Sequence, residues 1–264
     1  FIMIGNFGFF LPTQIMFGRG VVKEVGEEIK ARGLKKPMLV TDAGIIKIGL
    51  ADQIKGYIEE AGFECMLFDG IVPNPRDYDC DKGAKIAADA GADVLIAVGG
   101  GSAMDTAKAM ATVMTNGKTS RDWIDVELDV QSVPVICIPT TCGTGSEVTF
   151  NAVISNTETH LKGNIFDPKC APILALVDPD MINGLPGSLI SSTGIDALTH
   201  AVEAYVSTVA TPMTDAIAIY AVKLIGENIV KAANDRDADA MEAVMLASMM
   251  AGVAFGNADT AAVH

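Results

Sequence analysis

The sequence is poor in positive charge and in paired cysteines. Lys and Arg number 19 against 33 Asp and Glu, which gives a formal net charge of −14 at pH 7. Nucleic acids and anionic membrane surfaces are bound through clustered basic residues, so we expect neither as a partner. The five cysteines among 264 residues include no C-x-x-C pair. We therefore expect no disulfide framework and no cysteine-built zinc site, and the cysteine usage favours a reducing cytoplasm.

The sequence also lacks a segment typical of a membrane anchor or a secretory signal. Phe1–Phe10 is apolar but has no basic start and no small-residue cleavage site. Met245–Phe255 is too short to cross a bilayer and is predicted to be a buried helix. Half of the residues are hydrophobic and a fifth are charged. This composition predicts a soluble globular protein of one large domain or two ordinary ones.

Strand-like and helix-like segments alternate through the first two thirds of the chain. The alternation predicts βαβ units and a mainly parallel sheet. Beyond Asp178–Asp180 the strand signals stop and only helices are predicted. We therefore place an α/β domain over residues 1–184 and an all-α domain over residues 185–264. The predicted strands are Pro37–Asp42, Phe63–Phe68, Asp93–Val98 and Val133–Ile138, and the predicted helices are Ala51–Ala61, Tyr78–Ala90, Met104–Met114, Thr193–Val206, Thr214–Ile229 and Asp237–Phe255.

A glycine-rich turn, Gly99–Ser102, directly follows the predicted strand Asp93–Val98. Glycine lets the backbone approach a ligand closely, and the next helix would direct its free N–H groups at an anion such as a pyrophosphate. The alternative is a tight corner between strand and helix, with Ser102–Asp105 as a capping box. Three consecutive glycines after a buried strand favour anion binding.

A second loop, Pro139–Glu147, brings three threonine hydroxyls and two glycines to the end of the strand Val133–Ile138. Open α/β sheets bind ligands at the carboxyl ends of their strands. Alone, the segment could be an ordinary loop that leads into a helix capped by Thr144 and Glu147. Together with the glycine turn it indicates one dinucleotide site. Asp42, which ends another strand, could accept hydrogen bonds from a ribose or could simply cap a helix.

Asp196 and His200 form the most informative pair in the sequence. They are four residues apart on a predicted helix, so they share one face and can ligate one divalent metal. The alternative is a capping box of Thr193 and Asp196 with a simple Asp–His pair, and the pair alone favours this plainer alternative. His264 is either a third ligand or an unrelated terminal residue. His160 lies in a polar segment and is predicted to be on the surface.

Together these segments resemble the iron-containing (group III) alcohol dehydrogenase family, especially its lactaldehyde reductase and 1,3-propanediol dehydrogenase members. The resemblance rests on GGGSAMDTAK at 99–108, PTTCGTGSE at 139–147 and TGIDALTHAVEAY at 193–205, in that order. It extends over nearly the whole chain. It implies an N-terminal α/β dinucleotide-binding domain, a C-terminal helical domain and an active site in the cleft between them.

The resemblance also implies a divalent metal, usually iron(II), held by one aspartate and three histidines. Asp196, His200 and His264 match the first three ligands. The fourth ligand and further helices are expected beyond residue 264, so the chain looks truncated. Phe150 matches a position near the nicotinamide or the substrate. The residues that match cofactor positions are Asp42, Asn74, Gly99, Gly100, Gly101, Ser102, Asp105, Thr140, Thr141, Thr144, Lys162 and Leu176, with Asp42 favouring NAD over NADP.

The implied function is reversible hydride transfer between a short-chain alcohol or diol and NAD. Zinc or another divalent metal is an alternative to iron. We also expect a homodimer or a larger homo-oligomer, in which the apolar segment Phe7–Phe17 pairs across subunits. Alternatives of the same architecture are a zinc polyol dehydrogenase and a dehydroquinate-synthase-like lyase. An alternative of another class is a non-catalytic NAD-binding fragment.

Overall fold

The molecule combines one parallel sheet, a separate hairpin and eight α-helices within the part of the chain that the structure describes. The structure is a computed structural model that describes residues 6–260 and 263–264. The sheet strands are β1 (Gln14–Phe17), β2 (Pro37–Val40), β3 (Met66–Phe68), β4 (Val94–Gly99), β5 (Val135–Pro139) and β8 (Leu174–Val177), and the hairpin strands are β6 (Asn151–Asn156) and β7 (Leu161–Phe166). The helices are α1 (Val25–Ala31), α2 (Ala43–Lys47), α3 (Leu50–Glu60), α4 (Asp77–Asp89), α5 (Gly101–Asn116), α6 (Gly187–Val206), α7 (Pro212–Val230) and α8 (Ala238–Ala258).

The six sheet strands lie in the order β1-β8-β5-β4-β2-β3, and every neighbouring pair is parallel. Alternate residues of a strand face different helices. Ile96 packs in one core with Ile54 of α3, whereas Leu95 packs in another with Met104 of α5. A sheet covered on both faces needs apolar side chains at successive positions, which explains the continuous apolar run at 94–98. The predicted α/β fold with a mainly parallel sheet and a helical C-terminal part is confirmed.

The hairpin of β6 and β7 is antiparallel and lies outside this sheet. Sequence reasoning predicted no strands here, because one face of β6 is only half-buried and β7 is largely exposed at its start. Asp77 at the start of α4 anchors the tip of the hairpin by accepting from the hydroxyl of Thr157 at 2.7 Å. His160 lies in the same turn and is exposed, as predicted.

The three long helices α6, α7 and α8 pack against one another, and one π-helical turn, Lys231–Asp235, separates α7 from α8. α6 begins at Gly187, before the predicted start at Thr193. The Thr193 hydroxyl donates to the carbonyl of Leu189 within the helix at 2.8 Å. The predicted capping box of Thr193 and Asp196 is therefore wrong, because both residues lie in the helix interior.

α8 is 21 residues long and is apolar enough to cross a membrane by length and composition alone. The prediction that its apolar run is too short was based on Met245–Phe255, and the helix extends beyond both ends of that run. Of the most apolar 18-residue stretch of this helix, 61% is buried inside the protein. Met245 and Val253 pack in one core with Val177 of β8. The prediction of a buried helix is confirmed.

Candidate active site

The glycine turn and the second loop lie side by side at the carboxyl edge of the sheet. β4 and β5 are adjacent, and the N–H of Thr140 donates to the carbonyl of Gly99 at 2.9 Å. A Cβ on Gly100 would lie 3.2 Å from the Thr141 side chain, and one on Gly101 would lie 2.9 Å from that of Thr144. The glycines are therefore required for this close approach, and the structure brings together the two loops that the sequence assigned to one site.

α5 begins at Gly101, directly in the glycine turn, and its N-cap position is held by Gly100. The first turn of a helix carries N–H groups without helical partners and the positive end of the helix dipole. Gly101 and Ser102 line a cavity of about 170 Å³ at this point. The predicted capping box at Ser102–Asp105 is wrong, because the helix starts earlier and Asp105 binds elsewhere. The open helix end can accept an anionic group.

Asp42 fills one of the two roles that the sequence left open, and its position is compatible with the other. It is the N-cap of α2, and its Oδ1 accepts from the N–H groups of Gly44 at 2.7 Å and Ile45 at 3.2 Å. Its Oδ2 lies 3.7 Å from the position that a Cβ on Gly99 would occupy. The carboxylate therefore caps a helix and also lies beside the glycine turn, where it could meet a ribose.

The other predicted cofactor residues divide between the cleft and the core. Asn74 and Lys162 line the 170 Å³ cavity together with Ser102 and Thr144. Leu176 does not share this position: its side chain is fully buried in β8, in the core that also contains Ile54 of α3. The place of Leu176 in the cofactor cleft therefore rests on the resemblance alone and stays a prediction.

A buried ionic network that sequence reasoning missed supports the glycine turn. Lys108 is fully buried, and its Nζ donates to Ser146 Oγ at 2.7 Å and to the carbonyl of Asn151 at 2.8 Å. Ser146 Oγ donates in turn to Asp105 Oδ1 at 2.7 Å. Burial raises the pKa of the Asp105 carboxyl, and the charge of Lys108 opposes this rise. The network ties α5 to the second loop and to β6, and a lysine among alanines and methionines was the signal that could have revealed it.

The predicted cap by Thr144 and Glu147 is also wrong. Gly145, with φ of 61°, precedes a short 3₁₀ helix at Ser146–Val148. Glu147 is only 3% exposed, and burial raises the pKa of its carboxyl to about 7. The loop is held against α8 instead, because Gly145 meets Gly252 in close backbone contact.

Asp196, His200 and His264 come together in the larger cavity. One ligand atom from each residue lies within 4.8 Å of those from the other two. His264 Nε2 is 3.4 Å from Asp196 Oδ1, His200 Nδ1 is 4.0 Å from Asp196 Oδ2, and the two imidazole rings stack with centroids 4.2 Å apart. Two imidazoles and one carboxylate form the donor set of non-haem iron(II) centres. These side chains therefore fit a divalent metal.

Further contacts orient both histidines. His200 Nδ1 lies 3.3 Å from the carbonyl of Gly143, and its ring stacks on Phe255 at 4.4 Å. His264 Nδ1 lies 2.5 Å from Glu203 Oε2. Burial lowers the pKa of His200 against the opposing effect of Asp196. For His264, burial is outweighed by hydrogen bonds to Glu203 and Asp196, which raise its pKa.

The metal-type cluster and the glycine turn share one connected cleft. The cluster lies in a cavity of about 580 Å³ whose wall also contains Phe150, Phe255 and Lys162. This cavity and the 170 Å³ cavity have five lining residues in common: Gly101, Asp105, Thr144, Val153 and Lys162. A helix N-terminus that can accept an anionic group therefore lies in the same cleft as a carboxylate–imidazole cluster that fits a divalent metal.

Comparison with known families agrees with this architecture. Residues 12–179 match the model of the iron-containing alcohol dehydrogenases, and residues 190–264 match the C-terminal model of the Fe-containing alcohol dehydrogenase family. The chain therefore belongs to the iron-containing alcohol dehydrogenase family.

Individual relatives are similar to this chain over nearly its whole length. The NAD-dependent methanol dehydrogenase of Bacillus methanolicus is 44% identical, with 97% of this chain and 68% of that protein covered. The lactaldehyde reductase of Escherichia coli K12 is 38% identical, with 96% and 67% covered. The crystal structure of sulfoacetaldehyde reductase from Bifidobacterium kashiwanohense in complex with NAD⁺ superposes with a TM-score of 0.93 at 30% identity, with 98% and 69% covered. The chain spans about two thirds of the length of these relatives.

Proposed function

We propose that the protein binds NAD and a divalent metal, iron(II) in the first instance, and transfers hydride reversibly between a short-chain alcohol or diol and NAD. The observation that carries the proposal is the connected cleft, in which the glycine turn and the Asp–His cluster share lining residues. The names of the relatives, which include a methanol dehydrogenase and a lactaldehyde reductase, support small alcohols and aldehydes as substrates.

The residues of the cleft have separate tasks in this proposal. When bound, the nicotinamide carries the hydride and the metal is the Lewis acid that polarises the substrate oxygen. The N-terminus of α5 holds the pyrophosphate, and Asp42 accepts from a ribose hydroxyl and repels a 2′-phosphate, which favours NAD over NADP. Asp196, His200 and His264 hold the metal. Phe150 is 6% exposed and forms part of the apolar wall that keeps water from the reacting groups.

Replacing His200 by Ala tests the proposal. The variant should lose metal uptake and alcohol-dependent NADH formation, whereas its affinity for NAD should stay within about twofold, because the glycine turn is untouched. Metal content, anaerobic NADH formation with iron(II), and NAD titration measure the three quantities. His160→Ala, at an exposed histidine of the hairpin turn, is the matched control and should behave like the parent chain. Turnover that survives in His200→Ala would contradict the ligand assignment. If the parent chain binds NAD and metal without net NADH formation, a lyase is indicated; if it binds NAD without metal, a non-catalytic NAD-binding fragment is indicated.

We further propose that the protein forms a homodimer or a larger homo-oligomer in the cytoplasm. β1 is an edge strand of the sheet, and Phe7, Phe10 and Leu11 before it are exposed. Unpaired edges and exposed apolar side chains favour pairing with a second copy. All five cysteines lie within the described residues and are free and buried, which supports a reducing environment.

A further inference from the structure

Glu203 is a buried carboxylate on the same helix as Asp196 and His200. Positions 196, 200 and 203 of α6 share one helix face. Glu203 is 4% exposed. Its Oε1 accepts from the N–H of Val263 at 2.6 Å, and its Oε2 lies 2.5 Å from His264 Nδ1. Both oxygens therefore contact the segment that carries His264.

The contact with Glu203 decides which nitrogen of His264 carries a proton. An ionised carboxylate can only accept hydrogen bonds, so Nδ1 must be the donor. In the neutral ring the other nitrogen, Nε2, then keeps its lone pair. Nε2 is the atom that lies 3.4 Å from Asp196 Oδ1 inside the cleft. With Nδ1 donating to Glu203, Nε2 shares a proton with Asp196 Oδ1 in the charged ring. Once that proton is lost, Nε2 offers its lone pair to a cation at the same place, which matches the proposed metal.

We propose that Glu203 is a positioning residue that holds His264 in its Nδ1–H tautomer and so presents Nε2 to the metal. The inference rests on the metal site of the proposed function. Histidines that ligate metals usually donate their second N–H to a carboxylate or a carbonyl, and this contact sets ring orientation and ligand strength. His200 makes the equivalent contact with a backbone group, because its Nδ1 lies 3.3 Å from the carbonyl oxygen of Gly143. For His264 the acceptor is the side chain of Glu203, which can be changed by mutation.

Glu203→Gln removes this function with little change in shape. The carboxylate uses one oxygen for Val263 N–H and the other for His264 Nδ1–H, whereas an amide has a single acceptor oxygen. If the amide nitrogen faces the ring, Nδ1 must become an acceptor and the proton moves to Nε2, which blocks the ligand atom. If the amide nitrogen faces Val263, the backbone contact is lost and the histidine is held less firmly.

The experiment uses cobalt(II) alone as the probe, with its visible absorption as the signal. We expect the dissociation constant of cobalt(II) to rise about 10- to 100-fold in Glu203→Gln. Glu227→Gln, at an exposed glutamate of α7, is the matched control and should stay within about twofold of the parent chain. If Glu203→Gln binds cobalt(II) as tightly as the control, the inference is wrong. If the parent chain itself takes up no cobalt(II), the metal site fails, which is a separate outcome.

A second measurement needs no metal, and its decisive result comes from the parent chain rather than from a Glu203 variant. Nitrogen-15 correlation spectra of the metal-free parent chain at about pH 9, where imidazole is neutral, report the tautomer of each histidine. His264→Ala identifies the His264 signals. The inference predicts a proton on Nδ1 of His264, and in Glu203→Gln it predicts a shift toward Nε2–H. A parent chain with the proton on Nε2 would overturn the inference, even if the metal site itself is correct.

Discussion

At the scale of single residues, Glu147 gives the fold a pH dependence. The residue is 3% exposed, and burial raises its pKa from 4.5 to about 7. A carboxyl whose pKa is higher in the folded state stabilises the fold while it is protonated. This stabilisation is fully present below about pH 4.5 and is lost as the pH rises through about 7.

Replacing Glu147 by Gln should therefore stabilise the protein more at pH 8 than at pH 5. From the two pKa values, the gain in the free energy of unfolding should be about 2 kcal/mol larger at the higher pH. Urea unfolding followed by the fluorescence of the buried Trp123 measures it at both pH values. Glu64→Gln, at an exposed site, serves as the control and should show no such pH dependence. An equal effect of Glu147→Gln at both pH values would count against a buried ionised carboxyl.

Single residues were predicted well where one short motif carried the signal. The spacing of Asp196 and His200 predicted a shared helix face, and the structure shows it. The cofactor role of Leu176 came from a resemblance, whereas the burial of its side chain depends on the neighbours of β8. The contacts of Lys108 and Glu203 could not be predicted, because their partners lie far away along the chain.

At the scale of elements, the second loop and α8 meet through two glycines. A Cβ on Gly252 would lie 2.6 Å from the carbonyl oxygen of Gly145 and 2.8 Å from its Cα. These are backbone atoms, so they cannot rotate away as a side chain could. The loop that carries Gly143, the partner of His200, is therefore positioned by direct backbone contact with a helix.

Gly252→Ala should destabilise the protein by about 1–3 kcal/mol, because the added methyl group separates the loop from α8. Gly226→Ala is the matched control: it is a helical glycine of α7 whose added Cβ meets nothing within 4 Å. It should instead stabilise the protein by about 0.5–1 kcal/mol through helix propensity. Chemical unfolding of both variants gives the comparison. A neutral or stabilising Gly252→Ala would show that the contact can relax.

Helices and strands with a strong local sequence pattern, such as β4 and α5, were predicted. Elements that depend on contacts with distant parts of the chain were not. β4 and α5 follow directly from an apolar run, three glycines and a small-residue helix. The hairpin of β6 and β7 was missed because its pattern is polar and its stability depends on anchors such as Asp77. The start of α6 was placed too late because Thr193 resembles a cap in sequence but bonds inside the helix.

At the scale of the whole molecule, the net charge of −14 opposes the compact state. Salt screens repulsion between exposed charges, so raising the salt from about 20 mM to about 300 mM should stabilise the protein. We expect a gain of about 1 kcal/mol, or about 2–4 °C in melting temperature. Thermal unfolding in sodium chloride measures it, with equal ionic strength from potassium chloride as the control. A lower melting temperature in both salts would contradict this expectation.

The overall topology followed from the residue patterns themselves, whereas the assembly of the cleft was predicted only through the family resemblance. Alternating strands and helices allow few parallel arrangements, since crossovers are right-handed and short. Residue patterns alone did not show that His264, 68 residues beyond Asp196, returns to the same face of α6, and only the resemblance predicted it. That return depends on how α7 and α8 pack against α6, and packing is decided by many weak contacts together.

The position of His264 beside α6 has a consequence for the folding of the helical part. A cation held by Asp196, His200 and His264 would be a crosslink between α6 and the segment after α8, with α7 and α8 inside the closed loop. Unlike a disulfide, such a link would be lost when the chain unfolds, so the ion would stabilise the fold by binding only its folded state. Uptake of the ion and ordering of these helices would then be one equilibrium, so the ion would be a part of the fold as well as of the chemistry.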